Sequence, residues 1–128
     1  MENYSKYFPV LDYYRKFVIP MNPKRYWIKQ DKLLVCPIHP DHDPSLGIIK
    51  TKNGGEVLHC FGCNYVAKSI INFHQDVCRI KQKRYISEED AIYELCSIFN
   101  IDYATLPKEL VSTEVDKDLK QEVELVES

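Results

Sequence analysis

Two short motifs limit the architectures open to this chain. Cys36-Pro37-Ile38-His39 is followed, after twenty intervening residues, by Cys60-Phe61-Gly62-Cys63. Two C-x2-[C/H] pairs on a loop and hairpin scaffold are what a tetrahedral zinc site requires, because each pair turns both its side chains toward one point. Gly62 is expected to supply the backbone freedom of the second turn. Cys36, His39, Cys60 and Cys63 fill a four-coordinate shell and leave no position open for substrate. The spacing therefore predicts one structural Zn2+ and no catalytic metal. Two further histidines lie close by. His59 should point away from the metal, because adjacent strand residues face opposite ways. His42 competes with His39, but only the Cys36/His39 pair has the two-residue gap.

Hydrophobic periodicity organises the rest. Val10 to Val18 reads as a short amphipathic helix with Val10, Tyr13, Tyr14 and Phe17 on one stripe, stopped by Ile19-Pro20-Met21-Asn22-Pro23. Tyr26-Trp27-Ile28 and Leu33-Leu34-Val35 read as strands of a hairpin, and Leu46 to Ile49 with Val57 to His59 as a second pair. Asn53-Gly54-Gly55 marks the turn of that second pair. Ala67 to Cys78 has helical spacing, and Lys81 to Arg84 reads as a basic linker. Ser87, with Asp90 three residues on, opens a last helix whose stripe is Ala91, Ile92, Leu95, Ile98 and Phe99. His74, Cys78 and Cys96 fall on apolar helix faces and are expected in the core.

At 128 residues there is room for one domain, placed at residues 1–103, and an acidic segment, 104–128, expected to be a solvated tail or frayed helix. No apolar run reaches the roughly 20 residues of a membrane span, and the first residues lack the basic and apolar pattern of a secretory signal. With five cysteines, an odd number, the expectation is a cytoplasmic protein with metal-bound or buried thiols, not a disulfide framework. Charge is uneven. Arg15 to Arg84 holds thirteen Lys/Arg against five Asp/Glu, whereas Ala104 to Ser128 holds three Lys against seven Asp/Glu. A basic body suits a nucleic-acid partner, although lysines also solvate the surface of any small domain.

Cys36, Pro37, His39, Pro44 and Ser45, then a hairpin, then His59, Cys60, Phe61, Gly62 and Cys63, form a pattern that resembles the N-terminal zinc-binding domain of bacterial and phage DnaG-type primases. The likeness spans roughly residues 4 to 103 and includes Ile70-Ile71-Asn72-Phe73 and the helix from Ser87 to Phe99. The chain differs from the family pattern in having Asn64 to Lys68 where a glycine-rich loop is usual. The resemblance implies an α+β fold, a zinc-ribbon antiparallel sheet with flanking helices. It also implies contact with single-stranded DNA template in replication. Such contact needs cations for phosphates and aromatic faces for bases. Lys24, Arg25, Lys29, Lys32, Lys50, Lys52 and Lys68 are the candidate cations. His59 is either a base or phosphate partner or a packing residue. Tyr26 and Trp27 alternate, so at most one faces outward, and Trp27 is expected in the core.

No carboxylate cluster of a polymerase core accompanies the ribbon, and the chain runs only about 25 residues past the likeness. It is therefore expected to have no catalytic residues and to make no primers alone. A separate primase polymerase subunit, or a replicative helicase, in a phage or mobile-element system of a bacterial cell is the implied partner. The alternatives are a primase mimic that binds host replication or transcription machinery, and a zinc-ribbon transcription regulator.

Overall fold

The computed structural model describes residues 4–30, 32–39, 43–52 and 54–107. Most of the expected acidic tail, from residue 108 on, and His42 lie outside the described residues.

Five short strands, β1 (Ile28–Lys29), β2 (Leu33–Leu34), β3 (Leu46–Lys50), β4 (Glu56–Cys60) and β5 (Val66–Ala67), pair in chain order as one antiparallel sheet. The register sets Leu34 against Leu46, Leu46 against Cys60, and Leu58 against Ala67, all buried on the inner face. Alternation then sends Lys29, Leu33, Gly47, Ile49, Val57, His59 and Val66 to the outer face. The tight turns use left-handed residues where they must: Gln30 (φ 53°) after β1 and Gly54 (φ 86°) between β3 and β4.

The N-terminal helix runs further than its prolines suggest. It passes from α1 (Val10–Tyr13) through a π-helical stretch, Tyr14–Val18, into α2 (Ile19–Met21). The backbone stays right-handed helical at both junctions, and the wider π register shifts the hydrogen-bond pattern ahead of Pro20. Pro20 then falls in a first turn, where its missing N–H costs nothing. Two contacts fix this segment on the sheet. Tyr14 Oη donates to the Val35 carbonyl at 2.8 Å. The first helical amide, Val10 N, donates to the buried carboxylate of Glu56 at 2.9 Å, while Lys50 donates to its other oxygen.

Helix α3 (Ile70–Gln82) begins later and ends later than its periodicity predicts. Ala67 is taken into β5 by pairing with Leu58, so the helix opens after Ser69, whose Oγ accepts from Asn72 N. It consumes part of the expected basic linker and stops where Lys83 turns left-handed (φ 57°). Helix α4 (Glu88–Phe99) starts where expected, with Ser87 Oγ accepting from Asp90 N at 3.1 Å. A 3-10 turn, Tyr103–Thr105, then returns the buried Leu106 to the core.

One apolar core joins the layers. Leu34, Leu46 and Leu58 from the sheet meet Tyr13, Tyr14, Phe73, Ile92 and Leu95 from the helices, each of the Leu, Ile and Phe side chains contributing about 1.5–3 kcal/mol on burial. The fold is α+β, as expected. Tyr26 and Trp27 are the reverse of expectation: Tyr26 is buried and Trp27 is 44% exposed. Tyr26 still belongs to the turn that its N–H closes on the Asn22 carbonyl, whereas Trp27 has the parity of Lys29. Among the described residues no helix is long and apolar enough to cross a membrane.

Between the helices lies a polar chain. His74 is fully buried, with Nδ1 2.7 Å from Tyr13 Oη and Nε2 2.7 Å from Glu94 Oε1. The Arg84 guanidinium, and after it His74, hold the Glu94 carboxyl down to about 2. Glu94 is thus a carboxylate, so His74 Nε2 carries the proton and Nδ1 accepts from the Tyr13 hydroxyl.

Candidate metal centre

The two ligand pairs occupy different kinds of turn. Cys36 and His39 sit in the crossing from β2 to β3, and Cys60 ends β4, so that Cys60 to Tyr65 is the turn into β5. That turn is closed by Asn64 N donating to the Cys60 carbonyl and Cys60 N to the Tyr65 carbonyl, both at 2.8 Å. The left-handed residue in it is Asn64 (φ 64°), not Gly62. Gly62 is required for space instead. A Cβ there would lie 3.0 Å from Ser45 Oγ and 3.3 Å from His39 Nε2. The β3–β4 hairpin brings the two turns together, and Phe61 N donating to the Ser45 carbonyl at 2.8 Å locks them.

One ligand atom from each of Cys36, His39, Cys60 and Cys63 lies within 4.8 Å of every other. His39 Nδ1 stands 3.8 Å from Cys60 Sγ, near the roughly 3.5 Å that a tetrahedral zinc sets between nitrogen and thiolate ligands. Hydrogen-bond donors around the sulfurs oppose the effect of burial, and at Cys60 they outweigh it. Burial pushes the Cys36 thiol up to about 12, opposed by the amides of Ile38 and His39 that point at its sulfur. At Cys60 burial also raises the thiol, but the Ser45 hydroxyl and the amides of Cys63 and Gly62 outweigh it and hold the thiol below its ordinary value. Burial raises Cys63. Three thiols and an imidazole, ringed by N–H donors and closed to further ligands, fit zinc and hold one structural Zn2+. All five cysteines are free of disulfides. Cys78 and Cys96 are buried in the helical layer.

The candidate DNA contacts do not form one patch. Lys29 lies on the outer sheet face, Lys68 is exposed just beyond β5, and Lys32 and Lys52 are exposed in the β1–β2 and β3–β4 connections. Lys50 is engaged by Glu56. Lys24 and Arg25 sit in the turn before Trp27, and Arg25 and Lys81 both stand within 6 Å of the buried Tyr26 ring. His59 occupies the outer face, as alternation predicts, with its ring 4.6 Å from that of Phe61. Phe61, which the sequence pattern marks only as part of the ligand motif, joins it there. It is 63% exposed and lies over Gly47, where a Cβ would meet its ring at 3.0 Å. Its position two residues after His59 was the available signal.

An antiparallel sheet that closes a Cys-His-Cys-Cys site through two turns is a zinc ribbon. More narrowly, the chain belongs to the CHC2 zinc finger family, the zinc ribbon of DnaG primases, whose family model matches residues 28–110. The match covers the whole sheet, both ligand turns, α3 and α4, and gives the chain a primase-related, zinc-binding role tied to DNA replication. No curated protein and no solved structure matches the chain.

Proposed function

We propose that this chain binds single-stranded DNA template on the outer face of its sheet and supports primer initiation together with a separate polymerase-bearing chain. The observation that carries the reading is the exposed Phe61 ring, set against His59 over the bare backbone of Gly47 and beside the zinc turn. Such a platform suits base stacking; Lys29, exposed on the same face, and Lys32 and Lys68, exposed in the connections at the ends of the strands, suit phosphates. Because the zinc shell is closed, the chain contributes template binding, not chemistry. The exposed aliphatics Ile49 and Val66 on the same face support the second reading, a primase mimic that docks on host replication or transcription machinery.

Fluorescence anisotropy on labelled oligonucleotides separates the two. The expected result is preference for single strands over duplex, affinity that falls steeply with salt, and a loss of about 5- to 150-fold in Phe61→Ala, the range for one stacked base. Lys29→Ala with Lys32→Ala should flatten the salt slope. Absence of any single-strand binding by the zinc-loaded chain would leave the mimic reading in its place.

A further inference from the structure

The helical layer holds a second group of metal-ligating side chains, far in sequence from the first ligand pair. His74 and Cys78 stand one turn apart on α3 and so share a face, and Glu94 meets them from α4. His74 Nε2 lies 3.5 Å from Cys78 Sγ and 2.7 Å from Glu94 Oε1, and Cys78 Sγ lies 3.8 Å from the same oxygen. A tetrahedral ion sets nitrogen, thiolate and carboxylate donors roughly 3.3–3.6 Å apart. Two edges are therefore close to length, and the third must open by about half an ångström. The other nitrogen of His74 already has the outer partner that a ligating imidazole takes, Tyr13 Oη.

A cation stands in this cluster now. Arg84 Nη1 donates to Glu94 Oε2 at 2.7 Å, while Nη2 donates to Oε1 at 3.0 Å and to Cys78 Sγ at 3.3 Å. Arg84 extends from the α3–α4 connection with its side chain 41% exposed. Nη2 can swing toward solvent while Nη1 keeps its hold on Oε2.

We propose that His74, Cys78 and Glu94 form a second divalent transition-metal site, weaker than the ribbon, whose metal displaces Arg84 from Oε1 and Sγ. The mixed nitrogen, sulfur and oxygen donor set suits zinc and excludes magnesium and calcium as preferred occupants. On binding, the Cys78 thiol proton leaves to solvent. The His74 proton moves from Nε2 to Nδ1, which then donates to Tyr13 Oη. Occupancy ties α3 to α4 through a metal in place of a guanidinium. The site stands independently of the DNA-binding reading.

The test is equilibrium dialysis of the full chain against a series of buffered free-zinc concentrations, with elemental analysis and circular dichroism at each point. The wild type should hold one zinc at low free zinc and two at high. Cys78→Ala should stay at one throughout. Arg84→Gln, which removes the competing charge, should gain the second zinc at about tenfold lower free zinc. A plateau at one equivalent in both the wild type and Arg84→Gln would overturn the proposal, as would a second equivalent retained unchanged in Cys78→Ala. If Arg84→Gln does not fold, the wild type against Cys78→Ala still decides.

Discussion

A Cβ placed on Gly62 and one placed on Gly47 would each approach a neighbour to 3.0 Å, yet the consequences differ. At Gly62 the neighbours are Ser45 Oγ and the ring of His39, a metal ligand and a group that hydrogen-bonds toward Cys60 Sγ. Neither can move without loosening the site. Gly62→Ala should therefore weaken zinc binding about 10- to 100-fold, the usual cost of disturbing the groups behind a metal ligand, as read by competition with a chelator of known affinity. At Gly47 the close atom is the far edge of the exposed Phe61 ring, which can swing away. Gly47→Ala should leave thermal stability within about 0.5 kcal/mol while moving the platform, so single-strand affinity should drop and zinc affinity should not. Equal effects of the two substitutions on zinc would refute the distinction. The four ligands themselves were legible from spacing alone, because a C-x2-C turn carries its own geometry. The reason for Gly62 was not legible, since the atoms that exclude a side chain there come from Ser45 and His39, distant in sequence and near only in the fold.

Helix ends divide along the same line between local and distant causes. Ser87 opens α4 as read from sequence, because a cap needs only its own oxygen and an amide three residues on. Ser87→Ala should cost about 1 kcal/mol, measured as a lowered urea midpoint with unchanged zinc content. Lys83 closes α3 in a left-handed conformation that a side chain resists. Lys83→Gly should stabilise the chain by about 0.5–1 kcal/mol, and a lower midpoint would show that the lysine contributes more than its backbone costs. The start of α3 is not legible in the sequence because Val66 and Ala67 are claimed by β4, a pairing that no local propensity announces. The N-terminal helix outran Pro20 because a π-helical stretch re-registered it, and nothing in the periodicity of Val10 to Val18 signals that change. Glu56 was invisible as an anchor for the same reason: its partner, Val10 N, lies 46 positions away.

Across the whole molecule, the buried phenol of Tyr13, the half-buried phenol of Tyr65 and one metal set the limits of stability. Burial first, and then the charges around Cys78 and Glu94, raise Tyr13 well above its ordinary value of 10.0. Burial and the hydrogen bond from its hydroxyl to Asp76 raise Tyr65. The folded chain holds these protons where the unfolded chain releases them, so their contribution is complete below pH 10 and is lost as pH climbs above it. Urea midpoints should fall with rising pH above about 10, with the last phenolate absorbance appearing together with unfolding. Tyr65→Phe should shallow that slope, and an unchanged slope would remove Tyr65 from the account. Zinc acts on a larger scale. Structural zinc supplies about 10–16 kcal/mol in small finger domains, while the net stability of a domain is about 5–15 kcal/mol. Removing the ion thus takes away as much as the fold has in reserve. The loss cannot stay within the sheet, because Cys36 and Cys60 belong to the same buried cluster as Tyr13, Phe73 and Leu95. Tyr14 and Glu56 also tie the N-terminal helix to the metal-bearing strands. Chelation should therefore abolish the cooperative thermal transition and lower the helical dichroism along with the sheet signal. Amide exchange would then approach unfolded rates in both β3–β4 and α3. If exchange accelerates in the sheet while α3 and α4 keep their protection, the helices form a unit that folds without the metal.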